Sequence, residues 1–203
     1  MSDGIGPGPG ELRGLVLAGG QSRRMGQDKA KLEIGGRTQL DRAADLLAEF
    51  LGHVHLSVRA DQFENISRFE HESIIDAYDE LGPAAGLLSA HRAYPEAAWL
   101  VLACDMPLVD GAIIRALIEQ RDARKAATAF ANPRDGLPEP LCAIYEPGTL
   151  ARFRRLAEEG LETSPRTLLV QSELCELELP RSNALDNINT PEDFARISDL
   201  LAS

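Results

Sequence analysis

The chain has 203 residues, of which 44% are hydrophobic and 26% charged, and its 21 Lys and Arg against 32 Asp and Glu leave a formal charge of −11. This composition suits one compact soluble domain and excludes a membrane-spanning helix, because the longest apolar stretches, such as residues 97–104, fall well short of the roughly 20 residues needed. The acidic balance argues against nucleic acid as a partner, since no dense basic stripe offsets the long-range repulsion. The cysteines at 104, 142 and 175 are odd in number and lack metal-ligand spacing, and the N-terminus has no secretory pattern, so a reducing cytoplasm is expected.

Residues 1–12, rich in Gly and Pro, read as a flexible tail, and residues 13–203 as one domain. The apolar run Gly14 to Ala18 ends at Gly19-Gly20, the pattern of a buried strand stopping at a tight turn. Thr38 is placed to cap a helix through Phe50, with Leu40, Ala43, Ala44 and Leu47 on one face. Strands are predicted at 53–58, 73–75 and 97–104, with helices over 83–94 and 110–120 between and after them. Further strands are expected at 126–131, 139–145 and 174–179, and a helix at 148–159. Thr190-Pro191-Glu192-Asp193 opens a last helix to about Leu201. Alternating strands and helices imply an α/β fold, a mainly parallel Rossmann-like sheet with helices on both faces.

In such a sheet ligands lie beyond the carboxyl ends of the strands, so residues just after strands carry the chemistry. Residues 17–29 read LAGGQSRRMGQDK. Their glycines allow backbone N–H groups close to a phosphate chain, and Arg23, Arg24, Lys29 and Lys31 surround it with charge. No Gly-Lys-Ser/Thr follows, which excludes the Walker loop. Cys104-Asp105-Met106-Pro107 puts an acid after the most apolar strand, a place for Mg²⁺ held by one carboxylate, phosphate oxygens and water. Asp76 ends another strand and precedes Gly82-Pro83-Ala84-Ala85-Gly86, small residues that would let a helix start approach a flat ring. Asn187 and Asn189 lie in the turn before the last helix, where they either face a ligand or shape the turn. The four histidines form no metal pattern, and no Gly-x-Ser-x-Gly elbow is present.

The loop LAGGQSRRMGQDK, followed in order by Asp76 with GPAAG, CDMP, EPLCAIY and NINTPEDF, resembles the molybdenum cofactor guanylyltransferase family, MobA-like nucleotidyltransferases. The resemblance runs from about Arg13 to the C-terminus. It implies transfer of GMP from GTP to Mo-molybdopterin, with pyrophosphate released. On this resemblance Leu17, Ala18, Gly19 and Gly20 would bind GTP, and Arg24 and Lys29 would neutralise its phosphates. Asp76 would contact guanosine, Asp105 would hold Mg²⁺, and Asn187 and Asn189 would lie on the pterin side. The acceptor's own phosphate would be the nucleophile, consistent with the lack of a protein one. Assembly proteins of the cofactor and recipient molybdoenzymes are the implied transient partners. Two departures stand out: Ala84 occupies a position where Leu is common, and the segment from His55 to Ala60 lacks an Asn that many relatives carry. A cytidylyltransferase, a sugar-phosphate nucleotidyltransferase and a non-catalytic nucleotide-binding module are the alternatives.

Overall fold

The computed structural model describes residues 10–18, 32–62, 71–78 and 81–202. Alternating apolar strands assemble as their periodicity demands. β1 (Leu12–Leu17), β4 (Val54–Val58), β5 (Glu72–Ile75) and β6 (Ala98–Ala103) run parallel, and β7 (Ala127–Ala131), β8 (Pro138–Tyr145) and β9 (Leu174–Leu177) complete a seven-stranded sheet. Its order is β5-β4-β1-β6-β8-β7-β9. A two-stranded hairpin, β2 (Glu33–Ile34) with β3 (Arg37–Thr38), stands apart. Of the stretch read as a tail, residues 1–9 lie outside the described residues, while the Gly10 and Glu11 carbonyls accept from Arg121 and from the Ala98 N–H.

The central strands are buried on both faces, so successive side chains enter different cores. Val16, Leu100 and Leu102 join Leu40, Ala44 and Leu47 of α1 (Gln39–Ala48) and Ile113, Ile114 and Leu117 of α3 (Gly111–Glu119). Leu15, Leu17, Trp99 and Val101 face the other way, against α2 (Pro83–Ala93), α4 (Pro147–Glu158) and α5 (Pro165–Val170). A small third cluster seats α6 (Pro191–Ala202) through Ile197 on Ile34, Leu108 and Ile188.

Local chemistry sets the element ends. Thr38 caps α1 by accepting from the Asp41 N–H at 3.1 Å. Thr190 and Asp193 cap α6 reciprocally, each side chain accepting the other residue's backbone N–H. Three features depart from the sequence expectation. The hairpin β2–β3 turns on Gly35 and Gly36, both at positive φ, the backbone that a two-residue type I′ turn requires. Helix α5 begins at Pro165 after a Ser164 cap. Strand β8 runs antiparallel to both neighbours, because β7 reaches it through the short turn 132–137. Its amino end therefore lies at the carboxyl edge of the parallel strands.

Candidate active site

The strand order reverses between β1 and β6, and there the crevice of an open α/β sheet forms. The Ala18 N–H donates to the Ser57 carbonyl, and the Cys104 N–H donates to the Leu17 carbonyl at 3.3 Å. These bonds set the ends of β1, β4 and β6 side by side, with Asp105 one residue past Cys104. Leu17 and Ala18 bury their side chains in the two cores. Gly19, Gly20, Arg24 and Lys29 lie outside the described residues, as do Arg23 and Lys31.

On the β4–β5 side, Ser57 Oγ donates to Asp76 Oδ1 at 2.7 Å, and the Asp76 N–H donates to the Val58 carbonyl. Burial raises the Asp76 carboxyl above the usual carboxylate range, opposed by the Ser57 bond and the Arg59 charge. In the GPAAG segment Gly82 and Pro83 are exposed at the helix start, whereas the residues after them turn into the core. Ala84 and Ala85 are buried, and Gly86 packs onto the sheet so closely that a Cβ there would sit 2.3 Å from Ser57 Oγ. Position 84 is thus core space.

On the other side of Asp105, the Ile188 N–H donates to the Asp105 carbonyl at 2.9 Å, so Asn187 and Asn189 flank the acid's loop. Buried Asp186 braces this segment by accepting from Arg134 and from Arg196. Asn187 and Asn189 line a small polar pocket of about 130 Å³ with Asn132, Arg134, Glu139 and Arg166. Sequence reasoning missed Glu139 and Arg166. Glu139 is only 4% exposed, and burial raises its carboxyl, with the Asp105 charge adding to the rise and Leu141, Arg166 and Asn132 opposing it.

Among the described residues no group of three His, Cys, Asp or Glu side chains could hold a metal. A cation bound through Asp105 would take its other ligands from phosphate and water, which is how Mg²⁺ is commonly held. Cys104 and Cys142 are buried, and burial pushes the Cys142 thiol far up, which disfavours a reactive thiolate there. A larger cavity, about 740 Å³, opens at the opposite edge of the sheet beside Arg13, Tyr94 and Glu146. Its basic groups are already engaged, Arg13 with Glu11, Arg124 with Asp122 and Lys125 with Glu173. The β1–β6 crevice, with Asp76 and Asp105 beside it, is therefore the candidate site.

A crevice at the strand-order reversal, flanked by a carboxylate on each side, is the arrangement of a nucleotidyltransferase domain. Residues 14–174 match the MobA-like NTP transferase domain, and the chain belongs to that family. It is 36% identical over 193 residues to a probable molybdenum cofactor guanylyltransferase of Opitutus terrae, covering 91% of this chain and 94% of that one. It is also 36% identical over 189 residues to a molybdenum cofactor biosynthesis bifunctional protein of Synechocystis, covering 92% of this chain but only 54% of the longer relative. The crystal structure of molybdopterin-guanine dinucleotide biosynthesis protein A from Archaeoglobus fulgidus superposes with a TM-score of 0.79 at 25% identity, covering 94% of this chain and 98% of that one.

Proposed function

We propose that this protein transfers GMP from GTP to Mo-molybdopterin, forming the guanine dinucleotide cofactor and pyrophosphate. The observation that carries the reading is the Ile188 to Asp105 backbone bond, which joins the Asn187–Asn189 segment to the acid loop at the crevice. One side of Asp105 then serves the nucleotide and the other the acceptor. The names of the relatives support the same reading.

Leu17 and Ala18 end β1 beside the turn that carries Asp105, and the segment Leu17, Ala18, Gly19 and Gly20 would receive the triphosphate. Asp76, oriented by Ser57, would contact the guanosine part. Arg24 and Lys29 would neutralise the β- and γ-phosphates and stabilise the departing pyrophosphate. Asp105 would hold Mg²⁺, which, when bound, withdraws charge from the phosphate oxygens. Asn187 and Asn189 would hold the acceptor so that its terminal phosphate oxygen lies in line with the α-phosphorus. That oxygen forms the new P–O bond as the bond to the β-phosphate breaks, and no protein nucleophile takes part. The cytoplasm, where assembly proteins and recipient molybdoenzymes would meet the product, is the proposed location; among the described residues no helix is long and apolar enough to cross a membrane.

The test is pyrophosphate release by Asp105→Asn across a Mg²⁺ titration. Loss of one metal-holding charge at a transition state built on phosphate should lower turnover by about 100-fold or more. Full activity in that variant would contradict the proposed role.

A further inference from the structure

We propose that Glu139 recognises the acceptor's ring, its carboxylate accepting the paired N–H and NH₂ donors of a 2-amino-4-oxo heterocycle. This rests on the reading above that the acceptor is a pterin. Three acids mark the carboxyl edge of the sheet in spatial order: Asp76 after β5, Asp105 after β6, and Glu139 at the start of β8. The register pairs Leu102 with Cys142; Asp105 lies in the turn three residues past Leu102, and Glu139 lies three residues before Cys142 on the antiparallel strand, near enough for the Asp105 charge to act on it. Glu139 is thus across from Asp105, on the side away from β1, β4 and Asp76.

A carboxylate this deeply buried needs its acceptor sites filled. Glu139 Oε1 accepts from the Leu141 N–H at 3.1 Å, an ordinary bond. Among the described residues Oε2 receives two long contacts, 3.3 Å from Asn132 Nδ2 and 3.5 Å from Arg166 Nη2, whose guanidinium is held more tightly by Asp135 at 2.6 Å. Both hydrogen bonds are therefore long, and Glu139 lines the same pocket as Asn187 and Asn189. At about 130 Å³ that pocket takes one end of a ligand, the size of a flat ring edge. The amide groups of Asn132, Asn187 and Asn189 supply donors suited to the ring carbonyl. Guanine carries the same donor pair as a pterin, but the nucleotide is proposed to lie on the Asp76 side, leaving Glu139 to the acceptor.

The experiment titrates the full chain with pterin (2-amino-4-oxopteridine) and with lumazine (2,4-dioxopteridine), which sets a carbonyl where pterin has its amino group. Ring fluorescence reports binding without any turnover. The wild type should prefer pterin by about tenfold or more, because a carbonyl facing a buried carboxylate leaves both unpaired. Glu139→Gln should abolish the preference while leaving GTP affinity within about twofold, given the separation of the two sides. Equal binding of both rings by the wild type, or binding of neither, overturns the proposal and requires no variant to fold. Retained preference in Glu139→Gln also overturns it, and a loss confined to GTP affinity would reassign Glu139 to guanine. Pyrophosphate release from GTP and Mo-molybdopterin is measured alongside: its absence with ring preference intact would sink the proposed reaction and not the ring recognition.

Discussion

Replacing Gly86 by Ala should destabilise the protein, although the same change inside most helices is favourable. Gly86 lies in α2 where the helix crosses β1 and β4. An added methyl would sit 2.3 Å from Ser57 Oγ, 2.6 Å from Leu17 Cδ2 and 3.1 Å from Ser57 Cβ. Comfortable separations between carbon atoms are about 3.5–4.0 Å, so the buried Leu17 and Ser57 side chains, or the helix against the strands, must yield by about 1 Å. Such overpacking costs about 1–3 kcal/mol, against up to about 1 kcal/mol gained by removing a helical glycine. At the middle of that range, about 2 kcal/mol of overpacking less at most about 1 kcal/mol leaves a loss of about 1–2 kcal/mol, which for a chain of this size lowers Tm by about 2–8 °C. Gly148, in α4 with no atom near its missing Cβ, is the control, and Gly148→Ala should hold or raise Tm. Displacing Ser57 also loosens Asp76, so GTP should bind more weakly to Gly86→Ala by isothermal titration. A Gly86→Ala protein melting at or above wild type would refute the packing argument.

Arg121 and Glu146 form a part-buried two-bond pair, at 2.7 and 2.8 Å, so Arg121→Ala should cost about 1.5–3 kcal/mol in urea unfolding by leaving the carboxylate without its charged partner. Arg121→Met combined with Glu146→Leu should recover most of that loss, and a single variant within about 1 kcal/mol of wild type would contradict the burial argument. Burial holds His55 and His91 below their ordinary value of 6.5, only partly opposed at His55 by Glu72 and at His91 by Glu96. The unfolded chain then binds more protons below 6.5, so their contribution is intact above that value and is lost as pH falls toward the lower folded values. The slope is at most about 1.4 kcal/mol per pH unit for each histidine, and urea midpoints between about pH 7.5 and 5.5 should fall less steeply in His55→Gln than in wild type. Parallel slopes in the two proteins would remove His55 from the account.

The parallel core was legible because strands buried on both faces read as continuous apolar runs, and capping residues such as Thr38 and Thr190 mark helix starts chemically. Asp105 was legible for the same reason, lying just past such a run, whereas Asp76 follows the short, half-exposed edge strand β5 and was marked only by Ile74 and Ile75 before it. Glu139 was not, because looking only after strands assumes that every strand points the same way. In β8 the ligand edge is the strand's beginning, and only the pairing with β6 and β7 reveals it. Arg166 was hidden by the missed helix α5, whose Ser164-Pro165 start was nonetheless a readable signal. The hairpin at Gly35-Gly36 carried its signal openly, but strands of two residues are too short to show a period. The role of Gly86 depends on how closely a helix crosses two strands, a distance that sequence spacing does not encode.

The central claim is tested most directly by pyrophosphate release from purified protein with Mg²⁺ and Mo-molybdopterin, comparing GTP, CTP, ATP and UTP at equal concentration. The account predicts release with GTP and little with the other three. Release with CTP alone would keep the chemistry but contradict the guanine assignment, and release with none of the four would contradict the proposed transfer.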